Sequence, residues 1–506
     1  MNSQKTLQQM ADYSSDKVAP NSMDIRTEYL EPITSNPLKY TFRLDQAGYL
    51  DTNSLIVFKL AAATTAHSNL LRVNQFNGVL GGVKRAIFQV GDHVINDVQD
   101  LNKYATIKTI LASNKSLSNQ YLGHYMGNQL WSKVVAGAGD SSIEHTSNQT
   151  YAQMFNTVRG SLCPDVDKSG IGPGRFTNGT GNEIMSGQIN QDSTLNNQYG
   201  ITLGTLFPAL QGQKIPLFLF DKQRILITVE FHPSSVWINN MIGTNTNYAN
   251  GTNDGIASDG DALLVDVRMV VDYIIMPTEV QNKVIAQTQQ QGGYKLNFFD
   301  VVSVEKNIPE FVGEQEVQHR IGQNNREVHA IYMWKEPPLS SFIHDGANND
   351  SGLVLRCSQY CMGYSQEEFN VEVNGRDEFD HFVYNPCSQY NELAECLGSD
   401  PNLDRPEYIN DEMTCGSFLS TMESGYMGTM KPLAYSLRNG NPGVVGAGRT
   451  IGNYPIIWKY KRTGYNATVA NSLRNDHTIK VNYFIECTRQ ASITNTPKGM
   501  DVLVSY

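Results

Sequence analysis

The sequence predicts an all-β protein built as two tandem antiparallel sandwiches, and three observations carry that prediction. First, a strand–turn–helix unit occurs twice. Phe88-Gln89-Val90-Gly91-Asp92 precedes a helix-like run around Tyr104, and Val371-Glu372-Val373-Asn374-Gly375 precedes a similar run around Tyr390. The spacing from Gly91 to Tyr104 nearly matches that from Gly375 to Tyr390. Second, each half later reaches one long alternating strand, around Tyr273 and around Tyr483. Third, only 18% of residues are charged while Asn, Gln, Ser, Thr and Gly abound, which suits short strands joined by polar loops. A chain of 506 residues holds two sandwiches of roughly 200–250 residues each, and cores of that size need no disulfide staples.

In Lys39 to Leu44, Tyr40, Phe42 and Leu44 alternate with Lys39, Thr41 and Arg43, as a strand with one buried face requires. Gln46-Ala47-Gly48 breaks the run. Ser54 to Leu60 is apolar on both parities and predicts a more central strand. Ile87 to Val98 predicts further strand with a turn at Gly91-Asp92. Leu101, Tyr104, Ile107 and Ile110 recur at threes behind Asp100 as a cap, which is a helix face. Residues 132–200 read as a long Gly-, Ser-, Asn- and Asp-rich insertion. The stretch from Tyr104 to Tyr273 is longer than that from Tyr390 to Tyr483 by nearly the length of that insertion. Pro216 to Phe231 predicts two strands joined at Asp221-Lys222-Gln223, and 239–260 another polar loop. Leu264 to Met276 gives a long strand: Val265, Val267, Met269, Val271, Tyr273 and Ile275 on one face, Asp266, Arg268 and Asp272 on the other.

Pro277 ends that strand, and Thr278 caps a short helix with Val280 and Val284 four apart. The polar Gln287 to Gly293 closes the connection, so 277–293 is the expected boundary. Strand signals resume at Tyr294 to Val304, Ile331 to Trp334 and Leu353 to Leu355. Asn385-Pro386 opens a helix whose face is Tyr390, Leu393, Ala394 and Leu397. Residues 398–450 are loop-rich. Ile479, Val481, Tyr483, Ile485 and Cys487 then form the second long strand, with Lys480, Asn482 and Glu486 opposite. The apolar DVLVSY end is expected to pack. The expected domains are a polar arm at 1–23, a first sandwich at 24–276, the connection at 277–293 and a second sandwich at 294–506. Two eight-stranded jelly rolls are the leading topology, because that fold closes two sheets around a core and tolerates long loops at one end.

Bulk properties narrow the function. A net charge of −11 argues against tight nonspecific nucleic-acid binding, which needs phosphate-neutralising Lys and Arg. The polar arm at 1–23 carries no basic run either. The cysteines (Cys163, Cys357, Cys361, Cys387, Cys396, Cys415 and Cys487) are odd in number and irregular in spacing. They read mainly as reduced core residues, with a disulfide inside the Cys357–Cys415 cluster left open. Met1 leads into a polar segment without a signal-peptide apolar region, and no apolar run of about 18 residues predicts a membrane span. Synthesis in a cytosol-like compartment is expected.

Chemistry-bearing motifs are weak. Asp165-Val166-Asp167-Lys168-Ser169-Gly170 opens like a calcium loop, but Phe176 stands where a bidentate Glu is expected, so a surface turn is the better reading. Gly137-Ala138-Gly139 and Gly446-Ala447-Gly448 complete no phosphate-binding pattern. No HExxH pair or GxSxG elbow is present. Glu367-Glu368 and Asp377-Glu378 are acid pairs of the kind a glycosidase uses, and equally common in polar turns. Six Asn-x-Ser/Thr triplets begin at Asn114, Asn148, Asn178, Asn250, Asn349 and Asn466; without a signal peptide their glycosylation is not expected. No catalytic, cofactor-binding or metal-binding residue is assigned, and no enzyme activity is expected.

Three segments carry a family resemblance: Phe42-Arg43-Leu44-Asp45-Gln46-Ala47-Gly48-Tyr49-Leu50-Asp51 leading into SLIVFKL, Gly81-Gly82-Val83-Lys84-Arg85-Ala86-Ile87-Phe88-Gln89-Val90-Gly91, and VDVRMVVDYIIMPTEV. On these, and on pattern and length over nearly the whole chain, the sequence resembles the major capsid proteins of the double jelly-roll lineage. It is similar to those of polinton-like viruses, virophages and related large eukaryotic DNA viruses. The resemblance implies two jelly rolls side by side in each chain and homotrimers of pseudo-hexameric outline. It further implies an icosahedral shell around a DNA genome, assembled inside the host cell. Its implied partners are the chain itself, penton proteins and minor capsid or cement proteins. No direct sequence-specific nucleic-acid contact is implied, and contact with an internal membrane is left open. The long loops 132–200, 239–260 and 398–450 would form outward towers or clasp neighbours, and residues 1–23 an arm near the shell base. The alternative is a β-sandwich carbohydrate-binding or carbohydrate-active protein, which would expose aromatics such as Trp131 or Trp237. A spike or vertex protein is a third reading, against which the duplication argues.

Overall fold

The computed structural model describes residues 24–62, 71–73, 79–108, 176–177, 183–184, 198–210, 214–220, 223–240, 262–290, 293–309, 314–322, 326–336, 361, 367–397, 432–438, 447–463, 478–496 and 499–505. Among the described residues, eight principal strands build the first sandwich: β1 (Asp24–Leu30), β2 (Lys39–Leu44), β3 (Leu55–Ala62), β4 (Val83–Val90), β5 (His93–Gln99), β6 (Gln198–Thr202), β7 (Ile225–Phe231) and β8 (Ala262–Ile275). Eight more follow: β9 (Tyr294–Ile308), β10 (Glu314–Gly322), β11 (Glu327–Lys335), β12 (Glu367–Val373), β13 (Arg376–Asp377), β14 (Leu433–Ser436), β15 (Ile456–Thr463) and β16 (Ile479–Thr496). Helix α1 (Leu101–Thr106) follows β5, α2 (Thr278–Gln290) joins the halves and α3 (Pro386–Leu397) follows β13.

The sheet orders settle the topology. In the first half one sheet runs β1-β8-β3-β6 and the other β2-β7-β4-β5. In the second half the orders are β9-β16-β11-β14 and β10-β15-β12-β13. Adding eight to each strand of the first pair gives the second pair. All these pairings are antiparallel. This is the jelly-roll arrangement, two sheets of four principal strands each, made twice. The short Thr34–Asn36, Tyr49–Leu50, Ile215–Pro216 and Arg449–Thr450 and the C-terminal Gly499–Ser505 add to these sheets.

Cores form where the alternation predicts them. Phe42, Phe58, Phe88, Met269, Val271 and Tyr273 are fully buried in the first half, as are Trp334, Phe369, Trp458, Tyr460 and Tyr483 in the second. The Phe58 and Phe231 rings meet edge-on at 5.4 Å between the sheets. Phe369 stacks on Trp458 at 5.0 Å. Two glycines of the family-like segments are dictated by close approach. Gly48 has φ +58°, and a Cβ there would lie 2.2 Å from the Ile274 carbonyl oxygen. A Cβ on Gly82 would lie 2.7 Å from the Trp237 ring.

Several expectations are corrected. Leu217–Leu219 is a 3-10 turn rather than a strand, with Leu217 and Leu219 buried and Phe218 half-buried. Strand β6 begins inside the supposed insertion 132–200, and β14 and Arg449–Thr450 lie inside the supposed loop 398–450. Ile238–Asn240 runs into the supposed loop 239–260. Helix α2 extends through the Gln-rich stretch to Gln290, and Thr278 is its first helical residue. The capping carbonyl is that of Pro277, which accepts from the Val280 and Gln281 amides. Val265 is 43% exposed. The register of β8 on β3 slips by one residue between Val265 and Arg268, with Asp266 at φ +57°, and such a bulge flips the parity of what precedes it. Ile110, Leu353–Leu355 and residues 1–23 lie outside the described residues. The C-terminal Gly499–Ser505 pairs with the end of β16.

One charged pair spans the second core. Lys335 on β11 donates to Glu367 on β12 at 2.5 Å with neither side chain exposed, and the Tyr460 hydroxyl donates to the same carboxylate at 3.0 Å. Removing one partner strands a buried charge. Lys335→Met is expected to lower unfolding free energy by about 3–5 kcal/mol in urea titration. The double variant K335M/E367L should recover most of that loss.

Candidate functional site at the seam between the sandwiches

Among the described residues, an extended polar constellation lies where the first sandwich meets the second, and β5 and α1 deliver its first-half residues. Asp100 turns the chain from β5 into α1 in a left-handed conformation (φ +50°) and makes no side-chain cap hydrogen bond. It is the N-cap of α1, as expected, but caps through its backbone carbonyl, which accepts from the Lys103 and Tyr104 amides, while its carboxylate faces the other sandwich. There it accepts from Asn482 at 3.2 Å and from Lys103 at 3.3 Å. The Lys103 ammonium also donates to Asn482 at 3.1 Å and to Glu336.

One helical turn on, the Tyr104 hydroxyl donates to Glu486 at 2.8 Å, and Lys108 pairs with the same carboxylate oxygen at 3.0 Å. Arg438 of the second sandwich holds the other oxygen at 2.7 Å. Burial pushes the Glu486 carboxyl up, but Lys108 and Arg438 outweigh it and hold it below its ordinary value. The Tyr104 ring lies 5.9 Å from Phe484 and 6.4 Å from Tyr332.

A second knot sits farther along. Asn96 on β5 donates to Asp300 on β9 at 2.8 Å and accepts from the Ala209 amide at 2.9 Å. Arg489 on β16 donates to Asp300 at 3.0 Å and to the Ile95 carbonyl at 3.4 Å. Burial raises the Asp300 carboxyl, with Arg489 and Asn96 opposing. The oxygens of Glu486 and Asp300 are thus engaged on both sides, which suits joining rather than proton transfer.

Sequence reasoning placed Asn482 and Glu486 opposite the buried face of β16; the structure buries both. A signal was available: Phe484 shares their parity, and an aromatic on a polar face marks a covered one. Asn96, Asp300, Arg489 and Arg438 carried no such signal. The acid pairs are dispersed rather than facing one another. Glu367 pairs with Lys335, Glu368 with Lys461, Asp377 with Lys459 and Glu378 with Arg449. Trp237, expected as an exposed sugar platform, is buried and donates to the His232 carbonyl at 3.1 Å. Gly448 donates its amide to Glu327 at 2.8 Å. Cys361 is buried and accepts from the Lys335 amide at 3.5 Å; Cys396 and Cys487 are buried thiols and Cys387 an exposed one. Asp165–Gly170, Gly137–Gly139, Trp131, Cys163, Cys357, Cys415 and all six Asn-x-Ser/Thr triplets lie outside the described residues.

The charges predict two pH windows. His232, close to Lys103, is pushed down to about 4 by burial and then by Lys103. Its unfolded form binds the extra proton, so stability falls as pH drops from about 6.5 towards 4. Glu486 is depressed, so its contribution is present above its ordinary value of 4.5 and is lost as pH falls further. Burial also lowers His319 and His329, so thermal melts across pH should show His232→Gln reducing, but not abolishing, the slope of the first window. Glu486→Gln should cost stability at neutral pH, and its deficit should shrink below pH 4.5.

No protein-family model and no curated protein matches the chain. Solved structures do. PBCV-1 VP54, as fitted into a reconstruction of the virophage Sputnik, matches with a TM-score of 0.54 at 10% identity, over 97% of this chain and 100% of that one. The PBCV-1 virus capsid matches with 0.52 at 10% identity, over 97% and 99%. The Faustovirus major capsid protein matches with 0.50 at 10% identity, over 94% and 92%. At such identity the likeness is one of fold, and it agrees with the strand orders: this chain is a double jelly roll.

Proposed function

We propose that the chain is a major capsid protein, a structural block that self-assembles into pseudo-hexameric homotrimers tiling an icosahedral virion shell around a DNA genome. The observation that carries this reading is the strand-for-strand repeat with a built seam. One chain supplies two similar blocks side by side, so three chains supply six. The solved structures that share the fold are themselves capsid proteins.

In this reading 24–276 and 294–506 are the two blocks, 277–293 joins them and 1–23 is an arm. Penton and minor capsid or cement proteins are the further partners. The chain acts without catalysis, is made and assembled inside the host cell, and resides in the capsid. With a net charge of −11 it encloses the genome without gripping it. A carbohydrate-active sandwich is less well supported, since Trp237 is buried and the acid pairs are matched by bases.

The test is solution mass by light scattering with particle imaging on the same sample. The expected species has three times the 56.3 kDa mass of one chain and a six-lobed outline. A monodisperse monomer would sink this reading.

A further inference from the structure

The seam inside the chain is a head-to-tail contact, and each sandwich carries both halves of it. One half is the strand–helix corner: β5 with α1 in the first sandwich, β13 with α3 in the second. The other half is the outer face of the sheet holding the long strand: β9-β16-β11-β14 in the second sandwich, β1-β8-β3-β6 in the first. Within one chain the first corner sits on the second sheet. Asn482 and Phe484 flank Tyr483 there and are fully buried.

The remaining two halves each present exposed side chains. On the outer face of β8, beside the inward-facing Tyr273, Asp272 is half-buried and Ile274 is only 8% exposed, so the open part of this face is its edge strand β1. On that face Ile25 pairs with Ile274, Thr27 with Asp272 and Tyr29 with Val270. Ile25 is 65% exposed and Tyr29 71%. A strand that presents such side chains to water is covered in the working assembly or is a liability. The second corner is equally bare. Helix α1 is buried throughout its length, whereas α3 exposes Cys387, Ser388 and Glu395. Tyr384, just before α3, is 68% exposed and borders a groove of about 540 Å³ with Phe379, Phe382 and Glu392.

We propose that the β13–α3 corner docks on the outer β1–β8 face of a second copy of this chain, repeating between chains the contact that β5–α1 makes within one. The proposal rests on the capsomer reading and names its surfaces. A heterologous contact repeated in this way closes a ring when its rotation allows. Three chains then give three inner seams and three outer ones.

The test uses the full chain with Tyr29→Cys and a bismaleimide cross-linker, the second thiol being the native exposed Cys387. Covalent dimers and trimers on a denaturing gel, abolished by C387S, are expected. Tyr29→Glu, at a position open to water in the free chain, should weaken trimer association at least about tenfold while the folded chain keeps its near-UV circular dichroism. A Y29C protein that runs as a trimer yet yields no Cys387-dependent product overturns this surface assignment and leaves the capsomer reading standing. A wild-type chain that stays monomeric overturns both.

Discussion

A carboxylate held out of water is costly unless its charge and lone pairs are met, and Glu486 places that constraint at the centre of this molecule. It sits on the long strand of the second sandwich, yet Tyr104 and Lys108 reach it from the first. Arg438 completes the set from its own side. These groups arrive together only if β5, α1 and the β9–β16 sheet hold one relative position. A slide by one residue would leave Glu486 without Tyr104 and Asp300 without Asn96. The apolar contacts around Phe484 and Tyr332 bury the area. The polar knots choose the single geometry in which that area is buried, a role of ionic groups better attested than net stabilisation.

The repeat preserves geometry while exchanging chemistry. Tyr273 and Tyr483 both face the core from β8 and β16, and both are fully buried. A buried phenol needs a partner, and each finds a different one. Tyr273 accepts from the Asp45 amide at 3.0 Å, whereas Tyr483 bonds the His319 ring at 2.8 Å. Lys335 and Glu367 cross the second core as a charged pair, while apolar side chains such as Phe58, Phe231 and Met269 fill the first. The constraint carried by both halves is therefore the strand order and the burial parity rather than any particular pair. That explains how a fold likeness spans nearly the whole chain at 10% identity.

Much of this was legible in the sequence because period-two alternation reports burial directly. Lys39–Leu44, the turn at Gly91 and the long strands around Tyr273 and Tyr483 stand where the alternation puts them. It was misleading wherever burial had another cause. Leu217–Leu219 is apolar on successive positions because a 3-10 turn, whose side chains do not alternate between two faces, buries Leu217 and Leu219 and half-buries Phe218. Val265 follows the parity of its strand only up to a bulge that no residue type announces. Strands β6 and β14 are short and sit among polar loops, so their partners define them more than their own composition does. The seam was the least legible part. Asn482 and Glu486 have the pattern of a solvated face, and only a second sandwich, far away along the chain, makes that face an interior.

Covalent linkage explains why this seam can be so polar. Two blocks on one chain meet at high effective concentration, so their contact needs orientation more than affinity. A contact between separate chains must also offset the lost freedom of association, and apolar and aromatic area serves that better than ion pairs that must first be desolvated. The two faces differ in that sense. The inner one is closed by Lys103, Lys108, Glu486 and Asp300. The outer one presents Ile25, Tyr29 and Tyr384 to solvent. One repeated fold thus carries two versions of one joint, each with the chemistry its linkage demands.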